Sequence, residues 1–63
     1  MAKVETSRSK IVSRLEGEGW RFERHGADHD IYRHSERGFL SLPRHRTLTP
    51  GVARSIAKKA GWI

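Results

Sequence analysis

The large apolar residues change their spacing twice along this chain, and that change limits what it can fold into. Ile11, Val12 and Leu15 recur at three- and four-residue spacing among Lys10, Ser13, Arg14 and Glu16, the pattern of a helix with one buried stripe. Ser7 or Ser9 can cap it, because a serine hydroxyl accepts from the free amides of a first turn. Gly17 weakens the helix end and Gly19 offers a left-handed stop. Trp20-Arg21-Phe22-Glu23-Arg24 then alternates apolar and charged residues, as a half-buried strand does, with Trp20 and Phe22 toward the core. A turn at His25-Gly26-Ala27-Asp28 follows, with Gly26 available for a positive φ. Residues 29–34 form a second strand. With Tyr32 inward, the period of two puts His29, Ile31 and Arg33 together on the other face. Ser35-Glu36-Arg37-Gly38 reverses the chain into a third strand, 39–42, whose core pair is Leu40 and Leu42 and which Pro43 ends.

Helical spacing returns after Thr49-Pro50-Gly51, which reads as an N-cap followed by proline at the first helical position. Val52, Ile56 and Ala60 form the expected buried stripe, Ala53 and Ala57 allow close approach to a sheet, and Arg54, Lys58 and Lys59 lie away from it. Gly61 serves as a C-cap, with Trp62 folding back on the last turn. The order helix, three antiparallel strands, helix predicts a two-layer α+β domain over residues 1–63, with residues 1–6 a loose lead-in.

The 63 residues include no cysteine, so neither a disulfide nor a thiolate metal site can support the fold. A chain of this length buries only roughly 60% of its unfolded surface, which leaves the core to a few large apolar groups or to help from a partner. Thirteen Lys and Arg against seven Asp and Glu give a net charge of +6 and a pI near 10.9. The basic residues recur in every predicted element, which favours a polyanionic partner, above all nucleic acid, over a merely solvated surface. No apolar run approaches the roughly 20 residues of a membrane span, and no signal-peptide core is present, so a soluble cytoplasmic protein is expected.

Four pieces of the chain resemble the HicA family of toxins: Ser9-Lys10-x-Val12-x-x-Leu15-x-x-x-Gly19-Trp20, Gly26-x-x-His29-x-x-Tyr32-Arg33-His34, Leu42-Pro43-Arg44-His45, and Pro50-Gly51-x-x-Arg54-Ser55-Ile56. They follow the family's order across nearly the whole chain. The resemblance implies a fold like the double-stranded-RNA-binding domain, endoribonuclease activity on messenger RNA, and a HicB-type antitoxin partner. It also implies a catalytic histidine at the start of the second strand, a position held here by His29. Ala27-Asp28 stands where many members carry Gly-Ser, and Asp30 where a second histidine often follows.

The same chemistry can be argued from the residues. RNA carries its own nucleophile, the 2′-hydroxyl, so cleavage needs a base for that proton and cations for the charge building on phosphate. Histidine is the side chain whose unperturbed pKa suits proton transfer at neutral pH. Arg33 and Arg44 can hold phosphate with forked donors, and His45 can protonate the leaving oxygen. A carboxylate beside an imidazole favours its charged form, yet strand alternation sends Asp28 and Asp30 to the face opposite His29. The bland alternative is a surface histidine in a turn. His25 reads as a solvated turn residue, and His34 as packing beside Tyr32 or touching substrate backbone. No metal-ligand spacing is present, so no metal or small-molecule cofactor is expected. The start of the second helix is a candidate phosphate site with Gly51 allowing close approach, although capping by Thr49 explains it equally. Arg21, Arg24, Arg46, Arg54, Lys58 and Lys59 can add electrostatic RNA affinity. Two rival readings are a non-catalytic RNA-binding module of the same fold and a domain whose charge meets an acidic protein.

Overall fold

The computed structural model describes residues 4–63. Helix α1 (Arg8–Gly17) leads into strands β1 (Arg21–His25), β2 (His29–His34) and β3 (Gly38–Pro43), and helix α2 (Pro50–Lys59) ends the fold. The sheet is antiparallel with order β1-β2-β3, so both connections are tight reversals and β2 is the central strand. This is the α+β order that the change of apolar period predicts.

Ile11 and Leu15 of α1 bury with Trp20, Tyr32, Leu40, Leu42, Ile56, Ala60 and Leu48 in one core. Tyr32 is inward, as expected, and lies opposite Leu40, while Leu42 lies opposite Asp30 on the same helix-facing side of the sheet. Gly19 has φ +96, the left-handed stop expected after α1. Thr49 caps α2 by accepting from the Val52 amide at 3.3 Å. Gly61, at φ +84, turns the chain so that the Trp62 amide donates to the Ala57 carbonyl at 2.7 Å. The Trp62 indole then donates to Glu18 at 2.7 Å, joining the far end of α2 to the end of α1.

Four local expectations are corrected. Neither serine side chain caps α1. Ser7 is the N-cap residue but makes no capping bond with its hydroxyl, which instead lies 3.2 Å from the Ser9 hydroxyl. Phe22 is 46% exposed. It does point to the helix side, opposite Tyr32, but β1 is an outer strand and α2 packs on β3 at the other edge, so its ring rests against those of Tyr32 and His25. Val52 is exposed, since the buried stripe of α2 is Ala53, Ile56, Ala57 and Ala60, a set at i, i+3, i+4 and i+7 that leaves Val52 on the flank. Gly26 has no positive φ. Its requirement is room: a Cβ there would stand 3.1 Å from the His29 carbonyl oxygen.

Of the expected loose lead-in, residues 1–3 lie outside the described residues. Val4 packs against the core, and Thr6 accepts from the Leu48 amide at 2.9 Å. Because so few side chains form the core, each counts. Leu42→Ala, at a position with no exposure, is expected to cost about 2–5 kcal/mol. Thermal unfolding should show a fall of on the order of 10 °C or more in a domain this small.

Candidate functional site

The site is built where β1 and β2 meet at the loop 26–28. The register of the two strands runs Arg21 to Arg33 and Phe22 to Tyr32, then shifts by one, so that Arg24 lies opposite Ile31 and His25 opposite Asp30. Regular pairing would set Arg24 against Asp30. The extra residue in β1 turns Arg24 to the open face of the sheet and brings His25 onto the helix side, beside Asp30.

Asp30 is the one buried charged side chain among the described residues, 7% exposed. Its Oδ2 accepts from Arg8 Nη2 at 2.6 Å. Its Oδ1 accepts from Arg44 Nη1 at 2.9 Å and from His25 Nδ1 at 2.7 Å. The hydrogen bond from His25 is the largest influence holding the Asp30 carboxyl below its ordinary range, with Arg44 and the charge of Arg8 adding to it against the opposing effect of burial. An ionised carboxylate only accepts, so the His25 Nδ1 must carry a proton.

Arg44 does more than neutralise Asp30. Its Nη1 also donates to the His29 carbonyl at 3.2 Å, and its Nη2 to the carbonyls of Ala27 at 2.8 Å and Gly26 at 3.3 Å. The Gly26 amide donates to the same His29 carbonyl at 2.6 Å. The backbone under His29 is therefore held from two sides. Arg44, expected to grip phosphate with a forked pair of donors, spends both terminal nitrogens on this loop.

The side chain of His29 is exposed and makes no hydrogen bond or ion pair among the described residues. It shares the open face with Ile31 and Arg33, which alternate with buried Asp30 and Tyr32. Arg24, opposite Ile31, is the open-face cation nearest to it in register and is itself paired with Glu23 at 2.6 Å. Arg33 stands four residues further on, about 13 Å along the strand. There it lies over the Phe39 ring and, with Arg21, Gly19 and Ser35, lines an open groove of about 650 Å³.

A family model described as the HicA toxin of bacterial toxin-antitoxin matches residues 8–62. The chain belongs to the HicA toxin family. No curated protein matches it. The match to this HicA family takes in the loop, all three strands and both helices, so the resemblance carried by the four sequence pieces holds across the fold.

The remaining expected site residues of this HicA chain fall into two groups. His45 and Arg46 come just after Arg44 beyond the end of β3, whose last residue, Pro43, pairs with His29, and both are exposed. Arg54, Lys58 and Lys59 project from the exposed side of α2, which packs on the sheet's other face, so they do not join His29. His34 serves the fold: its Nδ1 accepts from the Glu36 amide at 3.0 Å, its Nε2 donates to the Glu18 carbonyl at 3.1 Å, and its ring lies 5.2 Å from Trp20. Sequence reasoning missed Arg8 and the role of His25. The available signal was Asp30: the alternation that turns Tyr32 inward turns Asp30 inward too, and a buried carboxylate needs donors.

Proposed function

We propose that this HicA-family toxin is a cytoplasmic endoribonuclease that cuts messenger RNA, with His29 as general base and no cofactor. The observation that carries the reading is the exposed imidazole of His29, unpaired among the described residues, on a strand end whose backbone is held by Arg44 and Gly26. An exposed histidine of no functional use does not call for an arginine that bonds the backbone beneath it. With its backbone fixed, the imidazole can accept the 2′-hydroxyl proton, and the freed oxygen attacks the adjacent phosphorus. Arg24 is close enough in register to oppose the charge that builds on phosphate. Arg33, farther along β2, meets a neighbouring phosphate and contributes affinity and alignment. Arg21, Arg46, Arg54, Lys58 and Lys59 add sequence-independent attraction that weakens as salt rises.

Neutralisation by a HicB-type antitoxin belongs to the same reading: an acidic partner surface covers the basic face around His29, as the +6 charge favours. The test is expression of wild type and His29→Ala side by side in bacterial cells. Wild type should arrest growth and fragment transcripts, co-expression of an antitoxin should restore growth, and the alanine variant should do neither harm. Equal toxicity of the two proteins would remove His29 from the mechanism. Toxicity with intact transcripts would remove the nuclease reading altogether.

A further inference from the structure

We propose that His25 is the second proton-transfer group of this site, the acid that protonates the leaving 5′-oxygen, and that Asp30 is its positioning residue. The inference rests on the endoribonuclease reading above and goes beyond it by naming the acid. Transesterification of RNA needs two proton transfers, and His29 accounts for one. The 2′-oxygen forms a bond to phosphorus and its proton passes to His29. The bond from phosphorus to the 5′-oxygen breaks, and that oxygen takes the Nε2 proton of a doubly protonated His25, whose Nδ1 proton stays hydrogen-bonded to Asp30. The products are a 2′,3′-cyclic phosphate and a 5′-hydroxyl end, and solvent returns the two imidazoles to their starting protonation.

Three observations single out His25. Its ring is fixed by the 2.7 Å bond from Nδ1 to Asp30, and Asp30 is itself held by Arg8 and Arg44, so the ring has one orientation and one assigned proton. The side chain is nonetheless 72% exposed, and its Nε2 has no partner among the described residues, which leaves that nitrogen for a substrate. The irregular register of β1 is what creates the contact, since regular pairing would leave Arg24 there. His25 and His29 then flank the loop 26–28 from opposite faces of the sheet. In-line displacement puts the attacking and leaving oxygens on opposite sides of phosphorus, so a phosphodiester laid across this rim meets one imidazole on each side. Arg44, bonded to Asp30, to two carbonyls of the loop and to that of His29, fixes the two histidines relative to each other.

The experiment compares two RNA oligonucleotides cut by purified protein, one ordinary and one with sulfur replacing the bridging 5′-oxygen at a single linkage. A thiolate leaves without a proton, because a thiol is far more acidic than an alcohol. His25→Ala should slow the ordinary linkage by about 10²–10⁴-fold and the sulfur linkage by less than about threefold. His29→Ala should slow both alike. Asp30→Asn should also slow the ordinary linkage more than the sulfur one, a difference that a purely structural role would not produce. Thermal melts confirm that each variant is folded. Wild-type rates for His25→Ala on both RNAs, equal losses on both, or sulfur rescue of His29→Ala in its place would each overturn the assignment while leaving the nuclease reading intact. Failure of wild type to cut either RNA would overturn both.

Discussion

His29→Ala is expected to slow RNA cleavage by about 10²–10⁴-fold while the protein melts within about 4 °C of wild type. The separation of the two effects follows from how position 29 is used. Everything that the fold takes from it is backbone: its carbonyl accepts from the Gly26 amide and from Arg44, and its residue pairs with Pro43. Alanine keeps all of these. What alanine removes is an exposed imidazole with no hydrogen bond among the described residues, so no buried partner there is left unsatisfied. RNA affinity should also survive, since it arises from Arg21, Arg24, Arg33 and other cations that the substitution does not touch, and its steep decline with salt should be unchanged. Rates of cleavage and binding isotherms on one oligonucleotide would check both halves. A wild-type protein that binds RNA and never cuts it would instead be the non-catalytic module, and one with no affinity even at low salt would be a protein-interaction domain.

The architecture was legible because its signals are local. Alternation in residues 20–24 and 39–42, the Gly19 stop, and Thr49-Pro50 each report on a few neighbouring residues, and all agree with the observed elements. The site was only half legible. His29 could be placed at the start of β2 by the turn before it, and on the open face by the inward turn of Tyr32. The Asp30 cluster depends on long-range facts. Arg8 reaches Asp30 from 22 residues away, and His25 reaches it only through a register shift in β1 that no residue in that strand announces. Arg44 was noticed for its charge, yet its role depends on the His29 carbonyl and on two carbonyls of a loop whose shape the sequence does not display. Exposure of Phe22 is of the same kind, for alternation indicates the side of a sheet and says nothing about whether a helix covers that part of it.

Replacing Asp30 should have the largest effect on the fold of any single charge. Asp30→Ala would leave two guanidinium groups, Arg8 and Arg44, facing each other with no carboxylate between them, and His25 without its acceptor. Asp30 is the buried member and Arg8 is 23% exposed, so removing the carboxylate destabilises because these charges lose their counter-ion, and a fall of on the order of 10 °C in melting temperature is expected at this chain length. Asp30→Asn keeps the shape and removes only the charge, so it isolates the pH dependence. The folded protein holds this carboxyl below its ordinary value near 3.8, chiefly through the hydrogen bond from His25. The unfolded chain therefore takes up the proton first as pH falls. The stabilising contribution is complete above about pH 5, declines as pH drops through the unfolded value, and is gone once pH has fallen through the lower folded one. Wild type should thus exceed Asp30→Asn in melting temperature at pH 6, and the gap should shrink between pH 5 and pH 3. A gap that stayed constant over that interval would mean that the carboxyl titrates alike in both states and that its bonds to His25, Arg44 and Arg8 contribute little. Because Arg44 ties the same carboxylate to the backbone beneath His29, the cluster that stabilises the fold also sets the loop on which the proposed chemistry depends.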